Sequence, residues 1–463
     1  MLSDDILYLS VRELGERIKA RQLSPVELTE SYLERSDRIG KRLNAYAMLT
    51  RDLALAEAKQ AEREIGAGKY RGRLHGIPYA AKDLLAVKGY PTTWGARPYA
   101  KQMFDMDATV IQKLRQAGAI LLGKAAMIEL AGGMGYRYAS ASLTGATKNP
   151  WNEGCWTCGS SSGSGAIASA ALGAFAIGTE TWGSIVCPAA FCGVSGLRPT
   201  YGRVSRHGAM ALAFSMDKIG VLGRTADDCG LVLAKISGHD PLDPGSLPDA
   251  PLAYDGARWT TPLRLGWLTN AWTNPPADVN AVIQSARKTI IEARTALADG
   301  KLPEGPWEAA AGVVVSVEGA AAFDDLLESG RARELTDPLG RVGGYANRQV
   351  PASDYLRANR IRAVLQRKMD KLFERFDVIV AAAQPVTASP LSANLETDLD
   401  FPDPLGAIGN FCGLPAVSVP CGFVNGLPVG LQFVGRPMDE EKVIVAARLF
   451  QEHTEWHRKR PPV

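Results

Sequence analysis

The sequence has no long apolar run, almost no net charge and few cysteines, and each shortage removes a class of function. No stretch approaches the roughly 18 uninterrupted apolar residues of a membrane-spanning helix. The most apolar segment, Ala166 to Ile177, is mostly Ala and Gly and reads as a tightly packed core helix and strand. The start, Met1-Leu2-Ser3-Asp4-Asp5, has neither a basic n-region nor an apolar h-region, so no secretory signal is expected. Lys and Arg number 52 against 49 Asp and Glu. A formal charge of +3 gives no electrostatic footprint for nucleic acid or an anionic membrane. The seven cysteines, 155, 158, 187, 192, 229, 412 and 421, are odd in number and scattered, which suggests reduced thiols in a cytoplasmic protein. Cys155-Trp156-Thr157-Cys158 spells CxxC, but no second CxxC or nearby His completes a zinc site, and a redox pair has no better support. No metal or cofactor is expected.

What is present is a globular make-up, 463 residues with 46% apolar and 22% charged side chains. Length alone allows two or three domains. The pattern reads as one domain over 1–463, with a helical N-terminal part, 1–65, packed on the body and a catalytic core at 74–230. Ser10-Val11-Arg12-Glu13 and Ser24-Pro25-Val26-Glu27 fit capping boxes, the second with Pro at the first helical position. Beyond residue 74, strands are expected at 77–81, 119–123, 174–178, 263–268, 312–317, 378–383, 416–420 and 430–434. Helices fit 109–116, 165–172, 277–298, 353–375 and 439–451. Such alternation argues for an α/β fold with a largely buried sheet. Asn425-Gly426 is a hairpin signal that makes the sheet mixed. Residues 239–262 and 385–404, rich in Pro, Asp, Ser and Gly, read as surface loops.

The densest chemical signal is Cys158-Gly159-Ser160-Ser161-Ser162-Gly163-Ser164-Gly165, followed by Gly178-Thr179-Glu180-Thr181-Trp182-Gly183-Ser184-Ile185. A phosphate cradle would need Gly-Lys-Ser/Thr, and no Lys follows. Gly159 to Gly163 matches GxSxG, but that hydrolase type needs Asp and then His after the Ser, and none of His207, His239, His453 or His457 sits in a recognisable setting. The third chemistry needs no histidine: a neutral lysine can activate a serine if burial lowers its pKa. Lys82, at the end of the apolar run Ile77-Pro78-Tyr79-Ala80-Ala81, is the candidate, although most lysines after a strand are simply solvated.

These three segments, in this order, resemble the amidase signature family. Its pattern is an apolar-Lys-Asp segment, a Gly-Gly-Ser-Ser-Gly-Gly-Ser loop, and Gly-Thr-Asp-x-Gly-Gly-Ser-Ile-Arg-x-Pro. Ser160 and Ser184 stand 24 positions apart, the family's spacing. Residues 191–205, 236–240 and 413–423 are very similar to the A subunit of glutamyl-tRNA amidotransferases. The resemblance implies a large, mixed, mostly buried sheet flanked by helices on both faces. It implies Ser184 as nucleophile and Ser160, after a cis peptide from Gly159, as proton relay to a neutral Lys82. The backbone N–H groups of Thr181, Trp182, Gly183 and Ser184 would form the oxyanion hole, and Ser161 and Thr179 would orient the loop. Gly133, Met134 and Tyr136, with Trp182, are expected to contact substrate, although Met134 equally fits plain core filling.

Three residues depart from the pattern: Glu180 replaces Asp, Trp182 the first Gly, and Val186 the Arg. Trp182 places a large ring beside the oxyanion hole, where it could wall the acyl pocket or stack on an aryl group. Val186 removes the guanidinium some members use on a substrate carboxylate, which argues against anionic acyl groups; the alternative is family drift with unchanged specificity. The expectation is an amidohydrolase of apolar or aryl amides, anilides or carbamates, a monomer or homodimer in the cytoplasm, with a small-molecule partner and neither nucleic acid nor membrane. The alternative is a glutaminase A subunit of a glutamyl-tRNA amidotransferase. A non-catalytic binding protein is opposed by the presence of all three triad residues.

Overall fold

In the computed structural model, residues 2–248, 251–257, 259–293 and 296–463 are described. Apart from a small two-stranded ladder, Lys148–Asn149 with Asn152–Trp156, their strands are β1 (Tyr46–Leu49), β2 (Pro78–Lys82), β3 (Ile120–Ala125), β4 (Phe175–Glu180), β5 (Ser195–Arg198), β6 (Lys218–Gly223), β7 (Arg264–Leu268), β8 (Ala296–Gly300), β9 (Val378–Ala382), β10 (Ala416–Val424) and β11 (Leu427–Gly435). They form one sheet in the order β1-β3-β2-β4-β6-β5-β10-β11-β9-β7-β8. β3, β2 and β4 run parallel, as do β9, β7 and β8. The centre is antiparallel, including the β10–β11 hairpin through Asn425-Gly426, where both residues have positive φ.

Continuous apolar runs become strands here because both sheet faces are covered. Every residue of β2, β3, β4, β6 and β9 is buried. Along β9, Val378, Val380 and Ala382 join the core on one face, and Ile379 and Ala381 the core on the other, the period of 2 a pleated strand imposes. The N-terminal helices pack on the first face through Leu14, Ile18, Leu28 and Tyr32. Ser10 closes its capping box with Glu13, and Ser24 accepts from the N–H groups of Val26 and Glu27. Val11 N–H donates to the buried Asp228 carboxylate at 2.7 Å, fastening this part to the body.

Three expectations change. Residues 312–317, read as a strand from Gly-Val-Val-Val-Ser-Val, lie inside the helix Trp307–Ala322. The flanking alanines favour helix, and Trp307, Ala310, Ala311 and Val314 form one buried face at helical spacing. The helix expected over 277–298 ends at Glu292, and 296–300 forms β8 instead; residues 294 and 295 lie outside the described residues. The segment 385–404 is fastened along its length rather than lying loosely on the surface. Trp156 N–H donates to Ser389 C=O at 2.8 Å, Leu391 N–H to Gly154 C=O at 2.9 Å, and Leu395 N–H to Arg137 C=O at 2.8 Å. It also contains a short helix, Leu395–Asp398.

Candidate active site

β2 and β4 are parallel neighbours, so their carboxyl ends meet on one edge of the sheet, where open α/β sheets place their sites. Lys82 is the last residue of β2, and Thr179 and Glu180 the last of β4. The Gly/Ser loop enters the helix Ser162–Ser169 directly above them. Gly163 permits that approach: a Cβ there would lie 2.3 Å from Ala45 O and 2.5 Å from Ala126 N.

The peptide bond between Gly159 and Ser160 is cis. Lys82 Nζ lies 2.7 Å from Ser160 Oγ, 3.0 Å from Ser161 Oγ and 2.9 Å from Thr179 Oγ1. Ser161 Oγ donates to Thr179 C=O at 3.1 Å and accepts from Thr179 N–H at 3.2 Å, locking the loop to β4. Lys82 is wholly buried. Burial pushes its pKa down to about 7, against the opposing pull of Asp217 and Glu180. A neighbouring buried lysine, Lys124, is paired with Asp83 at 2.8 Å. Lys82 instead has three hydroxyls around it, the setting of an amine that can shed its proton.

Ser184 follows β4 in a turn in which Gly183 has a φ of +79°, a region costly for residues with a Cβ. Among the described residues its hydroxyl makes no hydrogen bond, so the hydrogen bonding that joins Lys82 to Ser160 does not continue to Ser184. Catalytic hydrogen bonds commonly tighten only in the Michaelis complex. Among the described residues, too, none of the backbone N–H groups of Thr181, Trp182, Gly183 and Ser184 is engaged by another protein group. That leaves a run of donors beside the serine, the material of an oxyanion hole.

Two carboxylates, the buried Glu180 and the half-buried Asp217, grip this turn. Glu180 accepts from the N–H groups of Ile185 at 2.8 Å and Val186 at 2.9 Å. Its other oxygen takes Arg198 Nη1 at 2.7 Å and Asn410 Nδ2 at 2.9 Å. Burial would raise its pKa, but Arg198, Lys218 and the Val186 N–H outweigh burial and hold it at about 2. Asp217 accepts from Thr181 Oγ1 at 2.5 Å. Its neighbour Lys218 is pushed down to about 7, first by burial and then by Arg198.

The comparisons with known proteins agree with this geometry. The Amidase family model matches residues 27–444. The chain belongs to the amidase signature family. Members of this family are hydrolases of C–N bonds, and this amidase is 35% identical to the A subunit of the glutamyl-tRNA(Gln) amidotransferase of Acinetobacter baumannii over 99% of both chains. It is similar in structure to the peptide amidase of Stenotrophomonas maltophilia, with a TM-score of 0.84, 30% identity and 98% of each chain covered. With a bacterial aryl acylamidase it shares the fold, at a TM-score of 0.86, 24% identity, 97% of this chain and 98% of the other.

The expected substrate residues of this amidase separate. Tyr136 is largely covered, edge-on to Trp156 with ring centroids 6.1 Å apart. Gly133 lies under Leu212 and Phe323. Met134 is 2% exposed, with its sulfur against Gly344. The 131–136 turn places this side chain in the body of the molecule. Val186 is 4% exposed within an apolar cluster. Trp182 donates its indole Nε1–H to Asp403 Oδ2 at 2.9 Å. Asp403 lies 221 positions away, and no motif could have announced it. Burial pushes its carboxyl up to about 7. A cavity of about 180 Å³ opens beside Thr181, with Thr179, Leu84, Met210 and Ile219 among its walls together with the charged Arg206, Asp217, Lys218 and Asp243.

The expectation of seven reduced thiols fails at two of them. Cys158 and Cys187 form a disulfide, with Cα atoms 5.9 Å apart, while the other five are free and buried. One half sits two residues before Ser160 and the other three residues after Ser184, so the bond ties the two serine loops together. Closing a loop with a 29-residue separation removes about 3–4 kcal/mol of unfolded-chain entropy. The double variant Cys158→Ala/Cys187→Ala is therefore expected to lose stability of that order in urea titrations. An unchanged midpoint would show that the bond does not form in solution.

Proposed function

We propose that this protein hydrolyses the C–N bond of apolar or aryl amides, anilides or carbamates through an acyl-enzyme on Ser184. The observation that carries the reading is a fully buried lysine, its pKa lowered by burial to about 7, hydrogen-bonded to the hydroxyl of the serine that follows the cis peptide, beside a turn of unengaged N–H groups. Lys82 takes the Ser160 proton as Ser160 takes that of Ser184. Ser184 Oγ bonds to the carbonyl carbon, and the resulting oxyanion is held by the N–H groups of the 181–184 turn. Collapse breaks the C–N bond, and the relay returns the proton to the leaving nitrogen. Water, deprotonated through the same relay, then releases the acyl group and Ser184.

Two features support a neutral, apolar substrate. Val186 offers no cation for a substrate carboxylate. Trp182 brings an aromatic ring to the nucleophile's turn. Purified protein is expected to turn over aryl amides, p-nitroanilides or aryl carbamates and to leave glutamine untouched. Inactivity on all three aryl classes would sink the reading.

The rate should also report Lys82. With its amine held near 7, the base form grows as pH rises. kcat/KM is expected to climb about tenfold per pH unit below 7 and to level off above about 8. A profile flat from pH 5 to 9 would remove Lys82 as the base.

A second reading is favoured by the full-length identity of 34–35% to the glutamyl-tRNA(Gln) amidotransferase chains: a glutaminase acting with a second protein. Ammonia release from glutamine, with copurification of that partner, would establish it over the first.

A further inference from the structure

Trp182 stands where the family pattern has glycine, so its ring is an addition of this chain to a turn otherwise built from backbone. An indole on a turn can swing between rotamers unless something fixes its edge. Here Asp403 does. Its Oδ2 accepts from Trp182 Nε1–H at 2.9 Å, and its Oδ1 caps the helix Pro404–Phe411 by accepting from Gly406 N–H at 2.9 Å. Its own N–H donates to Glu308 Oε1 at 2.6 Å, on the helix Trp307–Ala322. Each polar atom of the residue thus has a separate task, and the whole is anchored to two helices of the second core. The remaining surface of Trp182 packs against that core while the residue stays partly exposed.

We infer that Asp403 is a positioning residue that fixes the Trp182 ring beside Ser184 and thereby sets a preference for aryl over small alkyl groups at the reacting carbonyl. The inference rests on Ser184 being the nucleophile but does not require any particular amide or carbamate to be a substrate. Asp403 touches neither the triad nor the oxyanion turn's N–H groups. Its loss should leave the intrinsic reactivity of Ser184 in place and move only discrimination. A serine at 403 keeps an oxygen for the Gly406 cap and lacks the second oxygen that reaches the indole, which separates capping from ring positioning.

The test measures the second-order rate of Ser184 modification by two fluorophosphonates that differ only in a phenyl or a methyl substituent, followed by intact mass. Wild-type protein should favour the phenyl probe. Asp403→Ser should lower the phenyl-to-methyl ratio about tenfold, with the methyl rate changed less than threefold. Trp182→Phe, which removes the bonded N–H but keeps an aromatic ring, should lower the ratio similarly, and it carries the test if Asp403→Ser does not fold. The double variant should fall no further than either single one, because both cut the same contact. A ratio unmoved by these changes, or losses that multiply in the double variant, overturns the inference while leaving the acyl-enzyme reading intact. No modification of Ser184 by either probe overturns both.

Discussion

Lys82→Met and Ser184→Ala are each expected to lower kcat/KM by at least about 10⁴-fold, the scale seen when a member of a nucleophile–base unit is removed, and the lysine variant should at the same time gain stability. Lys82 is wholly buried with its pKa brought from 10.5 to about 7. Above pH 10.5 the amine is neutral in folded and unfolded chains alike. Between 10.5 and 7 only the unfolded chain holds the proton, so stability falls as pH drops through that window. Below 7 the whole penalty, about 5 kcal/mol, remains. Methionine fills the space with no proton to lose. It forfeits the contacts to Ser160, Ser161 and Thr179, at about 1 kcal/mol each. The net gain at pH 7 is about 1–3 kcal/mol; it vanishes near pH 8 and turns into a loss of about 2 kcal/mol by pH 10, where the wild-type amine is nearly free of penalty and only the lost contacts count. Urea titrations of both proteins at the two pH values read this directly. A variant less stable than wild type at pH 7 would mean that the ammonium is tolerated in place and is no base. Ser184→Ala carries no such pH signature, because the serine hydroxyl makes no hydrogen bond among the described residues.

The architecture of this chain was open to reading because its signals are local. Buried parallel strands such as β2 and β4 appear as short apolar runs, and the capping serines at 10 and 24 announce the N-terminal helices. The run 312–317 misled because β-branched residues are neutral evidence once their flanks are alanine and the buried face repeats at helical spacing. At the site, residue chemistry alone nominates Lys82 as a lysine after an apolar run, and only the order and spacing of the Gly/Ser segments single it out. Contacts between distant segments were beyond reach. Asp403 meets Trp182 across 221 positions, and Asp217 meets Thr181 across 36. The Cys158–Cys187 pairing was hidden by an odd cysteine count that pointed toward free thiols. In each case the side chains are placed by sheet order, which periodicity does not encode.

Glu180 carries the second large expectation, and it separates ion pairing from turn positioning. Arg198 is 1% exposed and Glu180 wholly buried, at 2.7 Å. Glu180→Ala would strand that guanidinium and remove the acceptor of Asn410 and of the Ile185 and Val186 N–H groups. Breaking one side of a buried pair costs about 3–5 kcal/mol. Because the carboxyl is held at about 2 rather than 4.5, its contribution is complete above pH 4.5 and is lost as pH falls through 2. It amounts to about 3 kcal/mol, so the wild type should weaken in acid over that window and Glu180→Ala should not. Glu180→Asp keeps the charge but is one methylene shorter. It can hold Arg198 and Asn410, or the two N–H groups that start the helix after Ser184, but it cannot span both. Stability should then stay within about 1–2 kcal/mol of wild type. Meanwhile kcat should fall about 10²-fold, the loss typical of a displaced oxyanion donor, with KM little changed. If kcat survived the aspartate while alanine still unfolded the protein, Glu180 would be a structural counter-ion alone, and the placing of Ser184 would have to come from the Asp217–Thr181 contact on the other side of the turn.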